Sequence, residues 1–277
     1  MRRILVLIPC ILISCSTLKI GYSECELPIH SPFPGGLINQ VLEIKSSEIK
    51  NLEINNQNIY LCQVDKEAWR ILMPISLYFE EDSLAISYKG QIIKKVQISS
   101  KNYRESRITI QNQDLVTPPK KYLDRIKKES ELTKTALNTI SKKVHSSLIM
   151  SLPVEGIKSS EFGVKRFIND KPRNRHTGLD IAAPIGTYIN APLSGKVILV
   201  GEFYYRGKTV VLDHGGGLIT SYSHMNKLSV ELGDRIEKGD LLGEVGETGR
   251  VTGAHLHWQV LLFGIPIDPE LFVKKNS

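Results

Sequence analysis

Glycine is distributed unevenly along the 277 residues: 17 of the 21 glycines lie after position 150. Tight turns need residues that tolerate positive φ, so the two halves of this chain must be built differently. At roughly 150 residues per domain the length predicts about two domains, enough to bury real cores. The apolar share is 41% and the charged share 23%, ordinary for globular protein, which excludes collagen-like, wholly disordered and coiled-coil chains. No apolar run reaches the ~18 residues of a spanning helix, which excludes a polytopic membrane protein.

The first half reads as short strands. Ile59 to Val64, Ala68 to Ile75, Ser83 to Tyr88 and Gln91 to Ile98 are rich in Ile, Val and Tyr. Lys89-Gly90 separates the last two as a hairpin turn, and Asn55-Asn56 is a second turn signal. The spacing predicts a small immunoglobulin-like β-sandwich over residues 15–116. A helical linker is expected over 117–144: Leu123, Ile126, Ala136, Leu137, Ile140 and Val144 sit near helical spacing from Pro118 to about Lys143. Thr117 is placed to accept from the free amides at the helix start, with proline in the first turn. From 145 to 277 strands return between glycine turns, with candidates at Lys196 to Val200, Thr209 to Asp213, Leu218 to Ser223 and Ala254 to Leu262. The expected class is mainly β.

Residues 1–14 read as a secretory signal peptide: Arg2 and Arg3 are basic, and Ile4 to Ile13 is apolar apart from Pro9. Leu12-Ile13-Ser14-Cys15 resembles a bacterial lipobox, whose cysteine would carry a lipid anchor; ordinary cleavage near Ser14 or Ser16 is the alternative. Either way Cys25 and Cys62 remain, and two cysteines in an exported chain suggest one disulfide. The net charge of +7 becomes +5 without Arg2 and Arg3. In an exported chain this favours encounters with anionic envelope polymers. No aromatic-interleaved basic motif points to nucleic acid.

Five of the seven histidines fall between His176 and His257. His176-Thr177-Gly178-Leu179-Asp180 gives an H-x-x-x-D spacing on a loop entering a strand. Tyr222-Ser223-His224 ends a second strand. His255-Leu256-His257 lies on a third, where alternation turns both imidazoles to one side. Imidazole nitrogen and carboxylate oxygen suit Zn²⁺, and a catalytic zinc site takes three protein ligands and keeps one position open. No cysteine follows Cys62, so a thiolate-rich structural site is excluded in this half. His214, before Gly215-Gly216-Gly217, reads as structural. His30 and His145 read as incidental.

These motifs, with Ser160-Glu161-Phe162-Gly163, Leu212-Asp213-His214-Gly215, Gly246-Glu247-Thr248-Gly249 and Gly253-Ala254-His255-Leu256-His257-Trp258, resemble the lysostaphin-like (LytM-type) zinc endopeptidases that cut peptidoglycan peptides. The resemblance spans about Ser151 to Phe272, and Ala254 departs from it where the family often has proline. It implies an antiparallel sheet with a groove and zinc on its floor. It also implies that His176, Asp180 and His257 are the metal ligands and that His255 and His224 are catalytic. Of these two, His255 is the candidate base, and His224 the group that steadies the oxyanion or shuttles a proton. The two roles are interchangeable on sequence alone. The looser resemblance of Pro34-Gly35-Gly36 and Trp69 to Leu77 extends to the β-domain that precedes the catalytic domain in some exported members. The implied setting is the periplasmic envelope, with peptidoglycan as substrate. The rival is a non-catalytic LytM-type activator of a cell-wall amidase, disfavoured because such proteins typically lose metal ligands.

Overall fold

The computed structural model describes residues 25–53, 58–109, 117–142 and 145–274. The leader, Cys15, Asn55-Asn56, Lys143 and Val144 lie outside the described residues. The strands are β1 (Leu37–Glu43), β2 (Leu52–Glu53), β3 (Tyr60–Gln63), β4 (Ala68–Pro74), β5 (Ser83–Tyr88), β6 (Gln91–Gln97), β7 (Glu105–Ile108), β8 (Ile157–Ser160), β9 (Lys165–Ile168), β10 (Lys171–Pro172), β11 (Leu179–Ala182), β12 (Tyr188–Asn190), β13 (Gly195–Phe203), β14 (Gly207–Gly215), β15 (Leu218–Leu228), β16 (Arg235–Ile236), β17 (Leu241–Val245), β18 (His255–Leu262) and β19 (Ile265–Ile267). One α-helix, α1, spans Leu123–Leu137.

The N-terminal strands form two three-stranded antiparallel sheets, ordered 1-4-3 and 2-5-6. Ile38, Ile71, Met73, Leu84, Ile86 and Val96 from both sheets share one buried cluster, which makes the pair a small sandwich. Its six described strands are one short of the seven of a constant-type immunoglobulin fold. Lys89 (φ 49°) and Gly90 (φ 75°) turn the β5–β6 hairpin, the paired positive angles that match strand twist in a two-residue loop. Sheet 1-4-3 is covered on both faces. Leu37, Tyr60, Cys62 and Leu72 join Leu148, Met150 and Leu179 in the main core of the C-terminal region. That double burial is why Ile71-Leu72-Met73 is continuously apolar instead of alternating. Cys25 and Cys62 form a disulfide across 37 residues.

Ten strands of the C-terminal region form an antiparallel sheet with the path 16-13-14-15-18-11-8; β12, β17 and β19 join at its sides. β18 shows how the sheet divides its faces. Leu256, Trp258, Val260 and Leu262 are buried on one side with the core, while His257, Gln259 and Leu261 point to the other. Helix α1 lies on this second face: Ala136 and Leu137 pack on Val211, Ile219 and Leu261.

The helix is shorter than its apolar spacing suggested. It begins after a 3-10 turn at Lys120–Tyr122 and has no side-chain cap at its start, so Thr117 does not cap it. It ends at Asn138, whose amide shares the carbonyls of Lys134, Thr135 and Ala136 and whose side chain donates to Lys134 O at 2.7 Å. That closed last turn stops the helix before Ile140, although the stripe continues in sequence.

Candidate metal centre and active site

Three strands and one loop bring the histidines together. In the antiparallel register Asp180 lies opposite His257, and Ala182 opposite His255. Ser223 lies opposite His257 on the other side of β18. His176 reaches the same point from the loop before β11. Gly178 makes that possible: a Cβ there would sit 2.7 Å from His257 Cε1 and 2.6 Å from Trp258 O, so any side chain would push the loop off β18. A register shift between Asp180 and Ile181 in the β8–β11 pairing adjoins the site. His224 sits at another shift, in the β14–β15 pairing, with φ 68°. A non-glycine residue held there signals local strain, which commonly marks functional positions.

The three predicted ligands converge. His176 Nε2 lies 2.9 Å from Asp180 Oδ1, His257 Nδ1 lies 2.6 Å from the same oxygen, and the two nitrogens are 3.1 Å apart. His176 Nδ1 lies 2.7 Å from the backbone oxygen of Glu161. A carbonyl accepts and does not donate, so this nitrogen carries the hydrogen and the neutral ring turns a lone pair inward from Nε2. Lone pair and carboxylate facing each other at 2.9 Å call for a cation between them. Two imidazoles and a carboxylate are a donor set that fits zinc, and these three residues form a group that can hold a metal ion.

The flanking histidines follow the same wiring. His224 Nδ1 lies 2.9 Å from Thr248 O, and His255 Nδ1 lies 2.8 Å from Gly253 O. Each neutral ring therefore keeps Nε2 unprotonated. His255 Nε2 is 3.9 Å from Asp180 Oδ1, and the rings of His224 and His255 are 4.9 Å apart. Burial, helped by His257, pushes His224 down to about 3; burial pushes His257 down to about 4 against the pull of Asp180. Burial alone would raise the Asp180 carboxyl. The adjoining His176 and His257 imidazoles override it: a positive charge gained on either ring favours the carboxylate and holds this group well below the usual carboxylate range.

Arginines surround the centre, and sequence reasoning passed over them. Arg166 on β9 reaches Asp180 Oδ2 at 3.0 Å, fixing the carboxylate oxygen that faces away from the imidazoles. Arg206, between β13 and β14, donates to Ser221, Ser223 and Gln259. Neither stands in a motif with its partners, and only strand pairing brings them close. His214 is structural, as its place before three glycines suggested. It is buried, with Nδ1 2.9 Å from Ser194 O and Nε2 2.7 Å from Thr220 Oγ1.

The N-terminal region braces the loop that carries His176. Tyr103 packs edge-on against Phe162, Arg104 pairs with Glu161 at 2.7 Å, and β7 runs parallel to β9. The Arg175 amide donates to Tyr78 Oη at 3.3 Å.

Peptidase family M23 matches residues 174–269, a span that begins just before His176 and ends beyond His257. The chain carries a peptidase family M23 domain. The crystal structure of a putative peptidase M23 from Pseudomonas aeruginosa superposes with a TM-score of 0.66 at 29% identity, over 89% of this chain and 96% of that one. That agreement extends through the N-terminal region as well as the M23 domain. Peptidoglycan DD-endopeptidase ShyA of Vibrio cholerae is 39% identical over 93 residues, 34% of this chain and 22% of that protein. DD-carboxypeptidase/endopeptidase Mpg of Neisseria meningitidis is 36% identical over 111 residues, 40% of this chain and 26% of that protein. The chain thus spans about a quarter of the length of these curated relatives.

Proposed function

We propose that this chain is a zinc-dependent endopeptidase that hydrolyses peptide cross-links of bacterial peptidoglycan. The observation that carries the reading is the convergence of His176, Asp180 and His257 beside two more histidines whose neutral rings present Nε2 as a base. The M23 relatives named for DD-endopeptidase activity support the substrate class, and a D-alanyl–diaminopimelate bond is the bond expected in a Gram-negative wall.

His176, Asp180 and His257 would hold the zinc. Bound there, zinc supplies Lewis acidity: it brings the pKa of water toward 7 and polarises a carbonyl. His255 Nε2 takes the proton from the attacking water as the O–C bond forms. His224, whose Nε2 carries no hydrogen of its own, takes that proton over from His255 and returns it to the leaving amine as the C–N bond breaks. Its wiring bears on the oxyanion role: a neutral ring with Nδ1 on Thr248 has no hydrogen on Nε2 to offer. Any donation to an oxyanion therefore follows proton uptake. Arg166 orients Asp180, and the Glu161 carbonyl fixes the tautomer of His176.

The setting we infer is the periplasmic envelope, with a lipid anchor at Cys15 as the finer expectation. The Cys25–Cys62 disulfide supports an oxidising compartment. Purified sacculi digested with the exported protein test the function. Cross-linked dimers are expected to fall and monomers to rise, with chelator stopping the reaction and zinc restoring it. Unchanged cross-linking in the presence of zinc would contradict the proposal.

A further inference from the structure

A cleft of about 510 Å³ opens between helix α1 and the sheet face that carries the metal group. Thr177, Arg206 and Gln259 form its inner wall, and Thr133 and Leu137 its outer one. It adjoins the candidate centre directly. Thr177 follows His176 in the chain. Gln259 is two residues beyond His257 on the same side of β18, a separation of roughly 7 Å.

Arg206 is the unusual wall residue. It is half-buried and lines the cleft. Its guanidinium donates to Ser221 Oγ and Ser223 Oγ, each at 3.3 Å, and to Gln259 Oε1 at 2.9 Å. All three partners are neutral, and Gln259 is itself fixed by donating to Thr177 Oγ1 at 2.7 Å. Among the described residues no carboxylate forms an ion pair with Arg206. The acidic residue lining the cleft, Glu129, is committed elsewhere: one oxygen takes Arg125 at 2.6 Å and the other the Tyr204 amide at 2.7 Å. Desolvation presses the guanidinium down to about 10 with no anion opposing it. A charge withdrawn from water without a counter-ion is costly unless a ligand completes it. The neighbouring guanidinia are occupied, Arg166 on Asp180 and Arg250 over the Tyr205 ring at 4.3 Å.

We infer that Arg206 is a specificity residue that receives a carboxylate of the bound peptide, one residue step from the candidate metal group. The guanidinium fork suits a carboxylate, and the uncharged network of Ser221, Ser223 and Gln259 holds it in place without neutralising it. The inference rests on the endopeptidase reading for its substrate. Cross-link peptides offer two carboxylates, a terminal α-carboxylate and that of a diamino acid side chain, and the same chemistry recognises either.

The test uses a fluorescent cross-linked peptide in three forms: free acid, α-carboxamide and side-chain carboxamide. Binding to chelated full-length protein is read by fluorescence polarisation. One of the two amides is expected to weaken binding to the wild type roughly 10–100-fold, the scale of a charged hydrogen bond. Arg206→Gln is expected to bind acid and amide alike, and Arg206→Lys to fall between. The amide that weakens binding identifies which carboxylate is read. Equal binding of all three peptides by the wild type, no measurable binding of the acid, or full discrimination by Arg206→Gln would overturn the inference. The wild-type comparison needs no variant to fold. Zinc-loaded protein is then assayed on the same peptides. Carboxylate preference in binding without hydrolysis of any peptide contradicts the proposed function and leaves Arg206 in its role, whereas hydrolysis without preference does the reverse.

Discussion

The N-terminal sandwich and the C-terminal sheet are both antiparallel β, yet they use burial differently. The sandwich encloses Ile38, Ile71, Met73, Leu84 and Ile86, and its stability is a matter of apolar area and fit. The C-terminal sheet buries Asp180, Thr209, Ser221, Ser223 and Gln259 on one face, with His176 beside them on its loop, while the opposite face is mainly apolar. Buried polar groups destabilise unless each finds a partner. Here backbone carbonyls orient three of the histidines and arginines hold the acidic and serine groups. The difference teaches where to look for chemistry in a mainly β chain: at the sheet face whose burial is polar and fully wired.

The contrast breaks most sharply at the ligands. His176→Ala or Asp180→Ala is expected to reduce bound zinc from about one per chain to none by elemental analysis, and to abolish hydrolysis of sacculi. His255→Ala is expected to keep the zinc while turnover falls by about 10²–10⁴, the share a positioned proton acceptor supplies. Loss of zinc in that variant would place His255 among the ligands. Ile71→Ala in the sandwich should do the opposite of both. A cavity at a fully buried aliphatic site costs about 2–5 kcal/mol in denaturant unfolding, with zinc stoichiometry preserved.

The smallest effect sharpens the comparison through pH. In the metal-free protein burial pushes His224 down to about 3 and His257 down to about 4, from 6.5 for an ordinary histidine. Between those values the unfolded chain binds more protons than the native one, so native stability falls as pH drops below about 6.5. The melting temperature of chelated protein should decline from pH 7 to pH 4, and His224→Gln should flatten that slope. A slope unchanged by His224→Gln would show that the polar face does not carry the cost.

Much of this was legible in the chain. Ala68 to Ile75, Ser83 to Tyr88 and Gln91 to Ile98 read as strands because β-branched and aromatic residues enrich them and Lys89-Gly90 marks the turn, and the observed strands end within one residue of those bounds. The convergence of His176, Asp180 and His257 was legible through the resemblance of their motifs to the LytM-type endopeptidases, and strand alternation alone placed only His255 and His257 on one side. The end of α1 was not, since Asn138 closes the turn through bonds that a hydrophobic stripe does not encode. Arg166 and Arg206 were hidden for another reason. Each acts on residues distant in sequence, and only the strand register of the folded sheet makes them neighbours.

The most direct test is an anomalous-diffraction map at the zinc edge from crystals of the zinc-loaded protein. The expected result is one peak bounded by His176 Nε2, Asp180 Oδ1 and His257 Nδ1, with solvent at the remaining position and His224 and His255 outside bonding distance. A peak elsewhere in the chain, or a fourth side chain closing the coordination, would contradict a catalytic centre at this face.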